Sequence, residues 1–170
     1  MARAMYSPAS RKNVDTATDP YMPRKAAAAV GVCGRCRLIR RNKRWYADES
    51  EYRALTKRNG GAVVETCPAC RKIADGFVAG VLILRGDYLA MHREEILNIV
   101  RNEEKRTRGV NPLERIVRLA EGHGFVEVST TNEKLAQRIG REVHKACGGV
   151  LEFKRSEDVK LLRVNWERNA

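Results

Sequence analysis

Val32-Cys33-Gly34-Arg35-Cys36 and Thr66-Cys67-Pro68-Ala69-Cys70 are two Cys-x-x-Cys knuckles, and they hold four of the five cysteines in a chain of 170 residues. Thiolates spaced by two residues can grip one metal ion from a tight turn, and Gly34 and Pro68 are residue types that such turns accept. Two pairs complete a tetrahedral four-sulfur site with no open position. The spacing therefore predicts one zinc ion held by Cys33, Cys36, Cys67 and Cys70, fixing shape and doing no chemistry. Thirty residues (37 to 66) separate the knuckles, more than in the commonest four-cysteine patterns. A redox motif would need only one pair, beside a strand–helix crossover. A disulfide framework suits a secreted chain, and nothing here signals secretion.

Between the knuckles runs Arg37-Leu38-Ile39-Arg40-Arg41-Asn42-Lys43-Arg44-Trp45-Tyr46. With Arg35, six cations lie within 35–44, and two aromatics close the run. Arg35, Arg37, Arg40, Arg41, Lys43 and Arg44 suit a surface that tracks phosphates, with Trp45 and Tyr46 as a stacking platform beside it. Equally, Trp45 and Tyr46 can cover the metal as the small core of the module. Asp48-Glu49-Ser50-Glu51 has the form of a capping box, which predicts a helix to about residue 58 with Tyr52 and Leu55 inward. Gly60-Gly61 ends it, and 62–66 leads as a strand into the second knuckle. Residues 31–75 thus read as a zinc-ribbon or treble-clef-like module.

Residues 1–30 have no periodic apolar face and read as a disordered basic arm. The alternative for 19–25 is a short docking peptide anchored by Tyr21 and Met22. Residues 76–170 read as an α+β sandwich domain of order β-α-α-β-α-β-β. The apolar run from Phe77 to Leu84 predicts a central strand buried on both faces. A helix follows from about Tyr88 to Glu104, and the charged stretch 101–109 reads as its end and a mobile loop. Asn111-Pro112, with Leu113, Ile116, Val117 and Ala120 spaced 0, 3, 4 and 7, predicts a second helix, stopped at Gly122 or Gly124. Phe125 to Ser129 reads as a strand, Thr130-Thr131-Asn132-Glu133 as a capping box, and the next helix buries Leu135, Ala136, Ile139 and Val143. Val150–Lys154 and Val159–Trp166 form a hairpin across Ser156-Glu157-Asp158.

The net charge is +12, unevenly spread: +3 over 1–30, +6 over 31–75 and +3 over 76–170. A field of that sign attracts polyanions, nucleic acid above all. No apolar run reaches membrane-spanning length, and the N-terminus lacks a secretory core and cleavage site. These features predict a reducing, cytoplasmic-type location and no membrane partner. No Gly-rich phosphate loop is present. His92, His123 and His144 are scattered and read as surface or capping residues. Cys147 reads as a small buried residue. No nucleophile–base–orienter set assembles, so the chain reads as non-enzymatic.

From Thr66 to the end the chain resembles the N-terminal half of the archaeal and eukaryotic family of large-ribosomal-subunit export adapters, named after the third nonsense-mediated-decay gene. In that family zinc knuckles precede a Gly-Tyr-Tyr-Glu-Ala-x-x-Gln-Leu-Arg strand. Here Cys67-Pro68-Ala69-Cys70 is followed by Gly76-Phe77-Val78-Ala79-Gly80-Val81-Leu82-Ile83-Leu84-Arg85. Ala136, Gly148-Gly149 and Val159–Trp166 fit the family's later helix, its glycine and its hairpin. The family's Glu and Gln fall on Ala79 and Ile83, so their polar contacts are lost, and one four-cysteine set stands where the family commonly has more. The resemblance implies binding to ribosomal RNA or a ribosomal subunit by a compact relative without the later export domain. Two other classes stay in view: a zinc-containing DNA-binding regulator, and a protein-binding adapter or enzyme using the α+β domain.

Overall fold

A short strand needs a partner, and the first knuckle supplies one by turning the chain back on itself. The computed structural model describes residues 20–21, 29–57, 61–156 and 160–169. Strand β1 (Gly31–Cys33) pairs antiparallel with β2 (Leu38–Arg41), and β2 pairs antiparallel with β3 (Arg44–Ala47). The β2–β3 connection has only two residues, and Asn42 takes a left-handed φ of 55° there, which Asn tolerates better than most side chains. Helix α1 (Glu49–Thr56) begins where the capping box predicts: Asp48 accepts the Glu51 N–H at 2.8 Å. It stops at Thr56 and buries no residue fully; Tyr52 and Leu55 are half-buried. Residues 58–60, with the first glycine expected to end the helix, lie outside the described residues. Strand β4 (Val63–Glu65) adds parallel to β1, giving the order β3-β2-β1-β4.

The second knuckle opens a helix that the sequence pattern does not predict, α2 (Pro68–Ala74). Cys67 is its cap and Pro68 its first residue, the position where a missing N–H costs nothing. Knuckle, hairpin and a helix carrying the second cysteine pair make a treble-clef-like arrangement.

The second sheet has the order β6-β7-β5-β9-β8, from β5 (Gly80–Arg85), β6 (Ile116–Gly122), β7 (Phe125–Thr130), β8 (Val150–Ser156) and β9 (Leu161–Glu167). Central β5 runs antiparallel to β7 and parallel to β9. Helices α3 (Asp87–Met91), α4 (Arg93–Val110) and α5 (Glu133–Cys147) supply the other layer. Leu82 and Leu84 of β5 are fully buried in one core with Ile96, Val100, Ile139 and Val143. Gly140 lets α5 sit close to the sheet, since a Cβ there would stand 2.8 Å from the Val164 Cγ1. The fold is α+β, as expected.

Five expectations change. The single helix expected from about Tyr88 to Glu104 is two, α3 and α4, which meet at His92. Strand β5 starts at Gly80, with Phe77 exposed, and it is not buried on both faces: Val81 and Ile83 point away from the core and are half-buried. The stretch 101–109 is helix, because Glu103 and Thr107 are buried and Arg106 pairs with Glu103. The segment read as a second helix is strand β6. The Asn111 side chain accepts the Leu113 N–H at 3.2 Å, forming a local turn, and Arg115 N–H donates to Thr131 Oγ1 at 2.9 Å. A bulge at Val117 then places Ile116 and Leu119, three apart, opposite Thr130 and Val128 on one face, which imitates helical spacing. The observed order is thus β-α-α-β-β-α-β-β. Finally, Asn132, accepting the Lys134 N–H at 2.7 Å, caps α5 in place of Thr130. Of the last hairpin turn, 157–159 lie outside the described residues.

Of the N-terminal arm, only Pro20, Tyr21, Ala29 and Val30 fall among the described residues. The Tyr21 ring lies 5.2 Å from that of Phe77, with the Lys72 ammonium 5.5 Å from its centre, and Arg71 donates to the Tyr21 carbonyl. The other anchor expected there, Met22, is outside the described residues.

Candidate metal centre and basic face

Each cysteine is held by a different local device. Cys33 ends β1 and Cys36 sits in the knuckle. The knuckle is closed by the Arg37 N–H on the Cys33 carbonyl at 3.0 Å, with Arg37 at a left-handed φ of 64°. The Gly34 N–H reaches the Glu65 carbonyl at 3.2 Å and so ties the knuckle to β4. Cys67 caps α2 and Cys70 lies in its first turn. All four Sγ atoms fall within 4.8 Å of one another, and those of Cys36 and Cys67 are 3.5 Å apart. A tetrahedral ion with bonds of ~2.3 Å would set its sulfurs ~3.8 Å apart. The four are therefore positioned to bind one metal ion, with every ligand supplied by the chain.

Backbone amides already serve the thiolates: the Cys67 N–H donates to Cys33 Sγ at 3.3 Å and the Cys70 N–H to Cys67 Sγ at 3.4 Å. The hydrogen bond from Cys67 is the largest influence on Cys36 and, with Arg115 close by, pulls its thiol down to about 4. The same contact, with burial, pushes the Cys67 thiol up, and burial raises Cys70. Crowded thiols cannot all ionise without a cation among them. Burial also raises Cys147, which is buried in the main core as expected.

Leu38, Trp45 and Ala69 cover the cluster, and Leu113 packs on it from the second sheet's half of the chain. Trp45 is 7% exposed. It is core, and its alternative role as a stacking platform is removed. That same half sends in Arg115, whose guanidinium approaches Cys70 Sγ at 3.5 Å and donates to the Pro112 carbonyl at 3.0 Å. Its Nη2 is buried without a hydrogen-bond partner among the described residues. A metal with four thiolates carries two negative charges, and Arg115 is placed to offset one of them. Nothing near Arg115 in sequence announces this role.

The basic cluster divides. Arg40 is 3% exposed and its Nε lies 2.5 Å from Glu65 Oε1, so it is structural and leaves the set of phosphate contacts. Arg37 pairs with Glu49 at 2.9 Å. Arg41 pairs with Glu51, which also accepts the Tyr46 hydroxyl at 2.9 Å. These two donors hold the Glu51 carboxyl below its usual range, and Tyr46 is thereby engaged and half-buried. Arg35, Lys43 and Arg44 remain exposed and form no ion pair among the described residues. Arg35 lies in the β1–β2 knuckle, Lys43 in the β2–β3 turn and Arg44 at the start of β3.

No protein-family model, curated protein or solved structure matches this chain.

Two grooves open on the surface among the described residues. One groove lies at the β8–β9 end around Asn165, Glu167 and Arg168, and the other lies beside Cys36. Among the described residues no helix is long and apolar enough to cross a membrane.

Proposed function

We propose that this chain is a non-enzymatic zinc protein that binds ribosomal RNA or a ribosomal subunit, working in a reducing, cytoplasmic-type compartment. The observation that carries the reading is the trio Arg35, Lys43 and Arg44. All three are exposed, without an ion pair among the described residues, at two turns of one small sheet and the strand end beside them. They lie in the most positive segment of the chain, and the four-cysteine centre holds that sheet in shape. Fixed cations on a rigid support meet phosphates with little ordering cost. A closed four-sulfur, tetrahedral donor set suits zinc. The resemblance to the large-subunit export adapters supports the ribosomal choice.

The test is equilibrium binding of the metal-loaded chain to purified ribosomal RNA across a salt series. Replacing Arg35, Lys43 and Arg44 together by Ala should flatten log K against log[salt] by about 1 per lost contact. An unchanged slope would remove the trio from the contact surface. Tight, sequence-dependent retention of duplex DNA in place of RNA would favour the regulator.

A further inference from the structure

We propose that a second phosphate-binding seat lies in the groove between α4 and the metal module, where Arg101, Lys105 and Arg108 take the backbone of the same RNA. The inference rests on the RNA-binding reading and extends it to a surface built by both halves of the chain. The groove has a volume of about 560 Å³. One wall is α4, and Cys36, Leu38, Ala47 and Pro112 line the rest.

Arg101, Lys105 and Arg108 recur at i, i+4 and i+7, which puts them in one row on the helix. That row lies beside the stripe of Ile96, Val100, Glu103 and Thr107 that α4 buries. Along the axis the three cations are about 6 and 4.5 Å apart.

The row is short of counter-charge. Glu104 is the sole acid among the described lining residues, and its Oε1 already accepts the Ile116 N–H at 2.8 Å. Arg101 has only a 4.0 Å approach to the exposed Glu94 and a 3.4 Å bond to Asn98. Lys105 and Arg108 make no ion pair among the described residues. Arg115 offsets one of the two negative charges of a metal-loaded cluster, and the three cations still outnumber Glu104 and the charge that remains. Positive charge in a concave site with apolar walls concentrates the field on an incoming anion. The row's like charges would repel on an otherwise bare face, and phosphate oxygens would relieve that repulsion.

The experiment is filter binding of the full, metal-loaded chain to purified ribosomal RNA between about 50 and 200 mM salt. Four proteins are compared: the natural chain, Arg101→Ala/Lys105→Ala/Arg108→Ala, Arg101→Lys/Arg108→Lys, and the Arg35, Lys43 and Arg44 alanine variant. The groove alanine variant is expected to lower the salt slope by about 2 to 3, additively with the turn variant. The lysine variant should keep the slope, since it counts charges, and this separates phosphate contact from a structural role of the arginines. If the turn variant flattens the slope and the groove variant leaves it unchanged, the groove proposal is overturned and the RNA-binding reading stands. If the natural chain retains no RNA at the lowest salt, the RNA-binding reading itself fails and the groove proposal falls with it.

Discussion

Replacing Arg115 by leucine should weaken metal binding more than it weakens the fold. The guanidinium is buried, donates to the Pro112 carbonyl and lies beside the lowered Cys36 thiol, but one of its nitrogens lacks a partner among the described residues. Its removal costs the fold part of an ion pair and relieves one unpaired donor. With a metal bound, the same guanidinium faces a cluster carrying two negative charges from 3.5 Å away. Outer partners of metal ligands contribute about 10- to 100-fold in affinity, which is about 1.4 to 2.7 kcal/mol. The loss stays in that range because the backbone N–H groups of Cys67 and Cys70 still serve the thiolates. The assay is competition for zinc against a chromophoric chelator, with chemical denaturation of both metal-free proteins alongside. Arg115→Lys keeps a charge but cannot reach Cys70 and the Pro112 carbonyl with the same planar fork, so its affinity should fall between the two. Equal zinc affinity in the Arg115→Leu variant and the natural chain, with the fold intact, would refute the counter-charge argument.

Metal capture should depend steeply on pH. The Cys67 and Cys70 thiols are raised in the metal-free cluster, so at neutral pH binding must expel both protons. Affinity then rises about 100-fold per pH unit from these two thiols, and a flat profile between about pH 6 and 8 would contradict the raised thiols. Chelation removes on the order of 10 kcal/mol of folding energy from the module. Amide exchange should accelerate over 31–47 and 63–74 while β5, β7 and β9 keep their protection; unchanged exchange in the module would show that the ion does not hold it. Trp45→Ala should cost about 3 to 5 kcal/mol of module stability. Trp45→Leu should leave RNA affinity near natural in the folded, metal-loaded protein, because the ring is core, and a large loss of affinity in a folded Leu variant would restore the stacking role.

The metal ligands are legible in the sequence because their information is local: two cysteine pairs at fixed spacing, each in a turn. The α2 helix carries a local signal too, Pro68 directly after a capping Cys67, but both residues are equally at home in a knuckle. Strand β6 imitates a helix for a geometric reason. Its bulge shifts the two-residue repeat by one, so Ile116 and Leu119 share a face at a helix-like spacing. The one-sided burial of β5 depends on where the helices lie, and its uniformly apolar residues give no hint of that. Arg40 and Arg115 show the limit most plainly. Arg40 sits among other cations in the sequence and Arg115 follows Glu114 in an otherwise uncharged stretch, and only tertiary structure separates a buried partner of Glu65 or of the cysteine cluster from an exposed arginine turned to meet a phosphate.

We propose that the metal-held basic face binds a ribosomal subunit or its RNA. The most direct test is sedimentation of the native protein from a gentle lysate through a sucrose gradient at low and high salt, with RNA crosslinking on the fractions. Co-migration with one subunit at low salt, lost at high salt, with crosslinks to peptides around Arg35, Lys43 and Arg44, is the predicted result. Protein that stays at the top of the gradient with no RNA attached would contradict the claim.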